Sequence, residues 1–148
     1  MSGIHRVIGD QEVLNRINVF PVADGDTGTN LSLSLGAVLD ELQQPGDKHL
    51  GTLLASLADK LLDGARGNSG AIVAQFFQGM SDSAEELTRF TAYTFSKAVS
   101  EGNEYAHDAL SNPREGTILT VIAAFADALK HEVASVQDAD FAPVFERA

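Results

Sequence analysis

Apolar residues recur along this chain at spacings of three and four, the pattern of helices that each bury one face. Leu31, Leu35, Val38, Leu39 and Leu42 form one such stripe, starting after Gly28, and Leu50, Leu53, Leu54, Leu57, Leu61 and Leu62 form another. A shorter stripe of Val13, Leu14, Ile17 and Phe20 precedes them. Further on, Ile72, Val73, Phe76 and Phe77 mark a fourth segment, Phe90, Tyr93, Phe95, Ala98 and Val99 a fifth, and Ile118 through Val133 a sixth. A seventh begins near Phe141. Only Leu31-Ser32-Leu33-Ser34-Leu35 alternates with period two, and its continuation into Val38, Leu39 and Leu42 predicts helix rather than strand. Sparse prolines, at positions 21, 45, 113 and 143, leave these segments uninterrupted. The pattern predicts an all-α domain of six to seven helices, a bundle or helical barrel whose interhelical loops carry function. Phe76 and Phe77 read as core and barrel lining, and Asp82, Glu85 and Glu86 as an acidic helix start.

A length of 148 residues suits one domain with one sizeable core. Lys and Arg number 10 against 21 Asp and Glu, a formal charge of −11, which argues against nucleic acid or an anionic membrane held by charge. At 44% hydrophobic the chain is too apolar for a disordered acidic tail. The absence of Cys excludes disulfides, thiolate metal sites and cysteine nucleophiles. His5, His49, His107 and His131 lack ligand spacing. No apolar h-region opens the sequence and no apolar run approaches the ~20 residues of a membrane span, so we expect a cytoplasmic protein without a transmembrane segment.

The chemistry concentrates in three polar, glycine-bearing segments. In Asn18-Val19-Phe20-Pro21-Val22-Ala23-Asp24-Gly25-Asp26-Thr27-Gly28-Thr29-Asn30, two carboxylates flank one glycine just ahead of a helix. Such a pair can converge on a hard cation, and the following helix start favours phosphate. It is no EF-hand, because the position that needs a bidentate Glu holds Leu35. Gly64-Ala65-Arg66-Gly67-Asn68-Ser69-Gly70 offers an anion-binding nest before a helix that should start near Ala71, with Arg66 as counter-charge. It lacks the Gly-Lys-Ser/Thr of a Walker A loop. Asn112-Pro113-Arg114-Glu115-Gly116-Thr117 again opens an apolar helix. Each segment alone also reads as ordinary capping and turn chemistry. Gathered at one end of a barrel, they would supply carboxylates for Mg²⁺, a nest for phosphates and a rim for a base.

With their order and spacing, Leu14 through Asn30, Gly64 through Gly70 and Pro113-Arg114-Glu115-Gly116-Thr117-Ile118-Leu119 resemble the ATP-binding L domain of dihydroxyacetone kinases, most closely the branch found in fatty acid kinases. The resemblance covers nearly the whole chain. It implies a barrel of antiparallel helices that binds ATP at one end through two Mg²⁺ ions. Asp24 and Asp26 match the metal-binding carboxylates. Asn18 lies near a third carboxylate of the dihydroxyacetone kinases, one residue further upstream of the Asp pair, and its uncharged amide would weaken that arm of the site. Thr27 replaces a histidine of those enzymes, which favours the fatty acid kinase branch. Thr29 and Asn30, with Asn68, Ser69 and Gly70, are the implied phosphate-facing residues; Thr27, Gly28 and Gly67 join them in the implied ATP-binding set, and Thr117 and Ile118 match a Thr-Met pair that meets the nucleotide.

The resemblance further implies in-line transfer of the γ-phosphoryl group with no side-chain nucleophile. In fatty acid kinases the acceptor is an acyl carboxylate presented by a DegV-type fatty-acid-binding protein or fused domain. In dihydroxyacetone kinases it is a hydroxyl of dihydroxyacetone (glycerone) held by a K subunit. Family members continue into a further helical segment with an Asp- and Gly-rich loop, and residues 1–148 are expected to form a single kinase domain lacking it. A barrel open on one side would expose apolar stripes and invite self-association into a homo-oligomer. Two other readings stand beside phosphoryl transfer: a non-catalytic nucleotide-binding regulatory module, and a helical scaffold whose polar loops are only caps.

Overall fold

The computed structural model describes residues 2–19, 22–43 and 49–134. Among these the chain forms eight helices and no strand: α1 (Ser2–Gly9), α2 (Gln11–Ile17), α3 (Thr27–Gly36), α4 (Leu39–Gln43), α5 (Leu50–Gly64), α6 (Gly67–Ser83), α7 (Ala92–Asp108) and α8 (Ile118–Ala134). Phe20, read as the end of the first stripe, and the segment expected near Phe141 lie outside the described residues. No helix among the described residues is long and apolar enough to cross a membrane.

Helix α6 is the central element, packed against α5, α7 and α3. Helices α5 and α7 run antiparallel to it, as short connections between side-by-side helices require. The start of α5 meets the chain just past α6, where the Gly51 N–H donates to the Leu87 carbonyl at 3.1 Å. Ile72, early in α6, clusters with Ala106 late in α7 and Leu119 at the start of α8. Met80, late in α6, clusters with Ala98 and Val99 in the first half of α7 and with Ala126 and Leu129 further along α8. A third cluster joins Leu31 and Val38 to Leu57 and Leu61 of α5 and Val73 and Ala74 of α6. The predicted stripes therefore supply the core, with Phe76 and Phe77 lining it in an edge-to-face pair 5.6 Å apart.

Several boundaries differ from the sequence reading. The stripe from Leu31 to Leu42 is two helices, because the chain tightens at Gly36-Ala37: the Ala37 and Val38 N–H groups bond to Ser34 and Leu35 carbonyls at 3.3 Å instead of four residues back. Glycine is a weak helix former, and the break turns Val38 into the core, where it is 3% exposed. Helix α1 was not anticipated; Ile4 and Val7, three residues apart, are its packing face. Asp82 lies in the last turn of α6, and Glu85-Glu86 belong to the turn beyond it, so they do not start a helix. Helix α7 begins later, at a capping box in which the Thr91 and Thr94 hydroxyls serve each other's backbone N–H groups. Phe90 and Phe95 close that turn as a hydrophobic staple, their rings 5.3 Å apart.

Both Asp82 carboxylate oxygens are engaged, one by Gln78 Nε2 at 2.8 Å and the other by Tyr105 Oη at 2.9 Å. The hydrogen bond to Asp82, and then its charge, raise the Tyr105 pKa above the ordinary phenol value. In a Tyr93→Phe background, where Tyr105 is the remaining tyrosine, Asp82→Asn should move the phenolate absorbance transition to lower pH. An unmoved transition would contradict the contact.

Candidate functional site

The loop before α3 is tied at both ends by side-chain amides. Asn18 Oδ1 accepts from the Thr27 N–H at 3.2 Å and the Thr27 hydroxyl at 2.7 Å, while its Nδ2 donates to the Val22 carbonyl at 2.9 Å. Asn18 thus closes the turn that carries the two aspartates. Its amide oxygen already serves two donors, and the amide works here as a loop tie.

One turn further on, α2 reaches across to α3. Asn15 Oδ1 accepts from the Thr29 N–H at 3.0 Å, and Asn15 Nδ2 and Gln11 Nε2 donate to Thr29 Oγ1 at 2.9 and 3.3 Å. The first-turn N–H groups of α3, which a helix leaves without internal partners, are in this way capped from the preceding helix. Asp26, the residue at the cap position, makes no side-chain capping bond. Asn15 and Gln11 escaped the sequence reading; their only signal is an i, i+4 pair of amides on the helix ahead of the Asp-Gly-Asp turn.

The Asp24 and Asp26 carboxylates are consequently left exposed, with no hydrogen bond or ion pair among the described residues. Gly25 between them has φ +66°, a left-handed conformation that glycine adopts without strain. No group of three or more His, Asp or Glu able to hold a metal occurs among the described residues. A carboxylate pair is nevertheless the donor set Mg²⁺ commonly takes from a protein, with water and substrate phosphates completing its shell. The residues present fit that ion.

Gly67-Asn68-Ser69-Gly70 is not a loop ahead of a helix but the first turn of α6 itself, which starts at Gly67 rather than near Ala71. The left-handed Gly67, φ +58°, lets the chain leave the extended Arg66 and enter α6 at once. The Arg66 side chain does not cap that first turn, and no other side chain among the described residues does. Asn68 is exposed, and Ser69, 8% exposed, has a hydroxyl with no hydrogen-bond partner among the described residues. The Arg66 guanidinium donates to the Ala65 carbonyl at 2.9 Å and is otherwise at the surface.

These two segments are in contact. A side chain on Gly67 would strike the Asn30 amide, and a side chain on Gly70 would strike the Ser34 hydroxyl. The start of α3 and the start of α6 therefore lie against each other.

In the third segment Gly116 is left-handed as well, at φ +79°. Its N–H donates to Thr120 Oγ1 at 2.9 Å, whose hydroxyl donates to Glu115 at 2.7 Å. Thr117 caps α8, its hydroxyl donating to the Arg114 carbonyl at 2.8 Å and accepting from the Leu119 N–H at 3.3 Å. Ile118 packs into two of the core clusters, the one holding Leu31 and the one holding Ile72. Its side chain is thus committed to the core. Because Leu119 is level with Ile72 in the second turn of α6, all three segments stand at the same end of the bundle.

Donor and acceptor capacity divides the roles within this end. The Thr27 hydroxyl hydrogen is spent on Asn18, whereas the Thr29 oxygen accepts twice and keeps its hydrogen free to donate. Thr29, Asn30, Asn68 and Ser69 therefore keep side-chain donors for an anion, beside a carboxylate pair able to hold a cation.

Residues 21–148 match the DAK2 domain family. Protein YloV of Bacillus subtilis (strain 168) is 40% identical over 121 residues, 82% of this chain and 22% of that protein. An uncharacterized protein of Staphylococcus epidermidis is 35% identical over 138 residues, 93% of this chain and 25% of that protein. Protein SSP1546 of Staphylococcus saprophyticus shares the same identity over the same shares of the two chains. The chain spans about a quarter of the length of these relatives.

Proposed function

The chain belongs to the DAK2 domain family, and from that premise we propose that it is an ATP-binding kinase domain that transfers the γ-phosphoryl group of Mg-ATP to an acceptor held by a partner. The observation that carries this reading is the unengaged Asp24/Asp26 pair, held at the bundle end where the uncapped first turn of α6 also lies. A triphosphate is anionic and the protein carries a net charge of −11, so repulsion opposes binding unless a cation intervenes. Bound there, Mg²⁺ would neutralise charge on the phosphate oxygens.

The chain's own groups then bind and orient. Asp24 and Asp26 hold the cation from the α3 side, Thr29 donates a hydroxyl, and the N–H groups of Gly67, Asn68 and Ser69 face the phosphates with the positive end of the α6 dipole. Ser69's buried, unpartnered hydroxyl supports this assignment. Thr117 and Ile118 form the rim toward the nucleotide through their backbone, since the Ile118 side chain is packed inside. Nothing here serves as a covalent relay, and positioning supplies the rate.

The acceptor we propose is a fatty acid carboxylate presented by a DegV-type protein or domain, on the resemblance to fatty acid kinases. A carboxylate oxygen attacks the γ-phosphorus, the bond to the β–γ bridging oxygen breaks, and ADP leaves with that electron pair. Labelled ATP, a long-chain fatty acid and a DegV-type partner should yield an acyl phosphate, trapped by hydroxylamine as a hydroxamate. Transfer instead to dihydroxyacetone on a K-type subunit would move the assignment to glycerone kinase activity. Tight Mg-ATP binding without transfer to either would leave a regulatory nucleotide-binding module.

A further inference from the structure

We propose that Ser34 is a positioning residue for the nucleotide site, its hydroxyl locking the first turn of α6 against α3 so that phosphate-facing and cation-holding groups keep one geometry. The inference rests on the Mg-ATP reading above and adds to it a residue outside the three motifs.

Ser34 is 0% exposed, in the interior of α3. A serine at such a position ordinarily returns its hydroxyl to the carbonyl four residues back, and Ser34 does so, donating to Asn30 O at 2.8 Å. Its acceptor side does something further: it takes the Arg66 N–H at 3.0 Å, thirty-two residues away in sequence. Arg66 is the cap position of α6, immediately before the left-handed Gly67. Gly70, the next contact, lies so close that a side chain there would strike the same hydroxyl. One oxygen thus touches Asn30, Arg66 and Gly70, on both sides of the seam between α3 and α6.

Ser32 provides the contrast. It sits on the same helix at 9% exposure, yet its hydroxyl has no partner among the described residues. If buried serines on α3 served only packing, the two would be equivalent. Removing the Ser34 hydroxyl instead leaves the Arg66 N–H unpaired at the turn that aims α6, and displaces Asn68 and Ser69 relative to Asp24 and Asp26. Small displacements of such groups are costly to function.

The test compares Mg-ATP dissociation constants by titration calorimetry, well below each variant's melting temperature. Ser34→Ala should bind Mg-ATP about tenfold more weakly, the scale of one buried hydrogen bond left unmade. Ser34→Cys, similar in size but a weak acceptor, should follow it, and gives a second measurement where alanine unfolds the chain. Ser32→Ala should bind as the wild type does, and Ser34→Thr, which keeps the hydroxyl, should restore binding. A lowered melting temperature for Ser34→Ala with an unchanged dissociation constant would show a merely structural role and overturn the inference. So would a Ser34→Thr variant as weak as alanine. A wild-type chain that binds no Mg-ATP overturns the kinase reading, and this inference with it.

Discussion

Replacing Asp24 and Asp26 together by alanine is expected to abolish the rise in melting temperature that Mg-ATP gives the wild-type chain. A ligand at a hundred times its dissociation constant stabilises the folded state by about 2.7 kcal/mol. For a domain of this size that corresponds to a shift of about 5–10 °C. The double substitution should remove the shift and leave the unliganded melting temperature nearly unchanged, because both carboxylates are exposed and bond to nothing among the described residues. The sign makes the experiment decisive. Were the aspartates mere surface charges, deleting two negative groups from a protein of net charge −11 would strengthen the binding of an anion. Only a pair that holds a cation gives weaker binding on neutralisation. A double variant whose Mg-ATP shift equals or exceeds that of the wild type removes the metal assignment.

The second large effect is expected at Gly28. A methyl group there would run into the Gln11 carbonyl and lie 2.9 Å from Asn15 Oδ1, the atom that receives the Thr29 N–H. The backbone at Gly28 is not left-handed, so the requirement is for space and not for conformation. Gly28→Ala should therefore force α2 and α3 apart at a cost of about 3 kcal/mol, the upper range for overpacking, and Mg-ATP binding should fall with the loss of the Asn15 and Asn18 ties. Gly36→Ala is the matched control on the same helix. Nothing lies within 4 Å of its added methyl, so alanine should be neutral or stabilise by less than about 1 kcal/mol through helix propensity. Urea denaturation of the two variants measures the difference, and equal midpoints would refute the steric account.

Much of the architecture was legible in the apolar spacing, because a helix that buries one face must repeat its large residues every three or four positions. Leu54, Leu57 and Leu61 of α5 and the Leu119 to Leu129 face of α8 are buried as that rule requires. Spacing does not register interruptions that keep the stripe in phase, which is why α3 and α4 read as one helix: Leu31 before the Gly36-Ala37 turn and Val38 after it are both apolar and buried in the same cluster. The start of α6 was misplaced for a related reason. Gly-Asn-Ser-Gly has poor helix propensity, and only the packing of Gly67 on Asn30 and of Gly70 on Ser34 holds it in a helical turn. Asp82 and Glu85-Glu86 misled because acidity alone does not say which end of a helix it sits on.

At the site, the Asp-Gly-Asp turn ahead of a helix could be anticipated from residue type. The supports could not. Gln11, Asn15 and Ser34 act through partners 18, 14 and 32 residues away in sequence, and no local pattern encodes which distant backbone group an amide or hydroxyl will meet.

The supports share a chemical property. Gln11, Asn15, Asn18, Thr27, Thr29 and Ser34, which tie the loop and the two helix starts together, are all amides and alcohols; none gains or loses a proton across the pH range in which proteins stay folded. The frame that presents the ligand-facing groups is therefore blind to acidity. The hydrogen bonds that hold the frame thus stay made as the solution passes between acid and neutral.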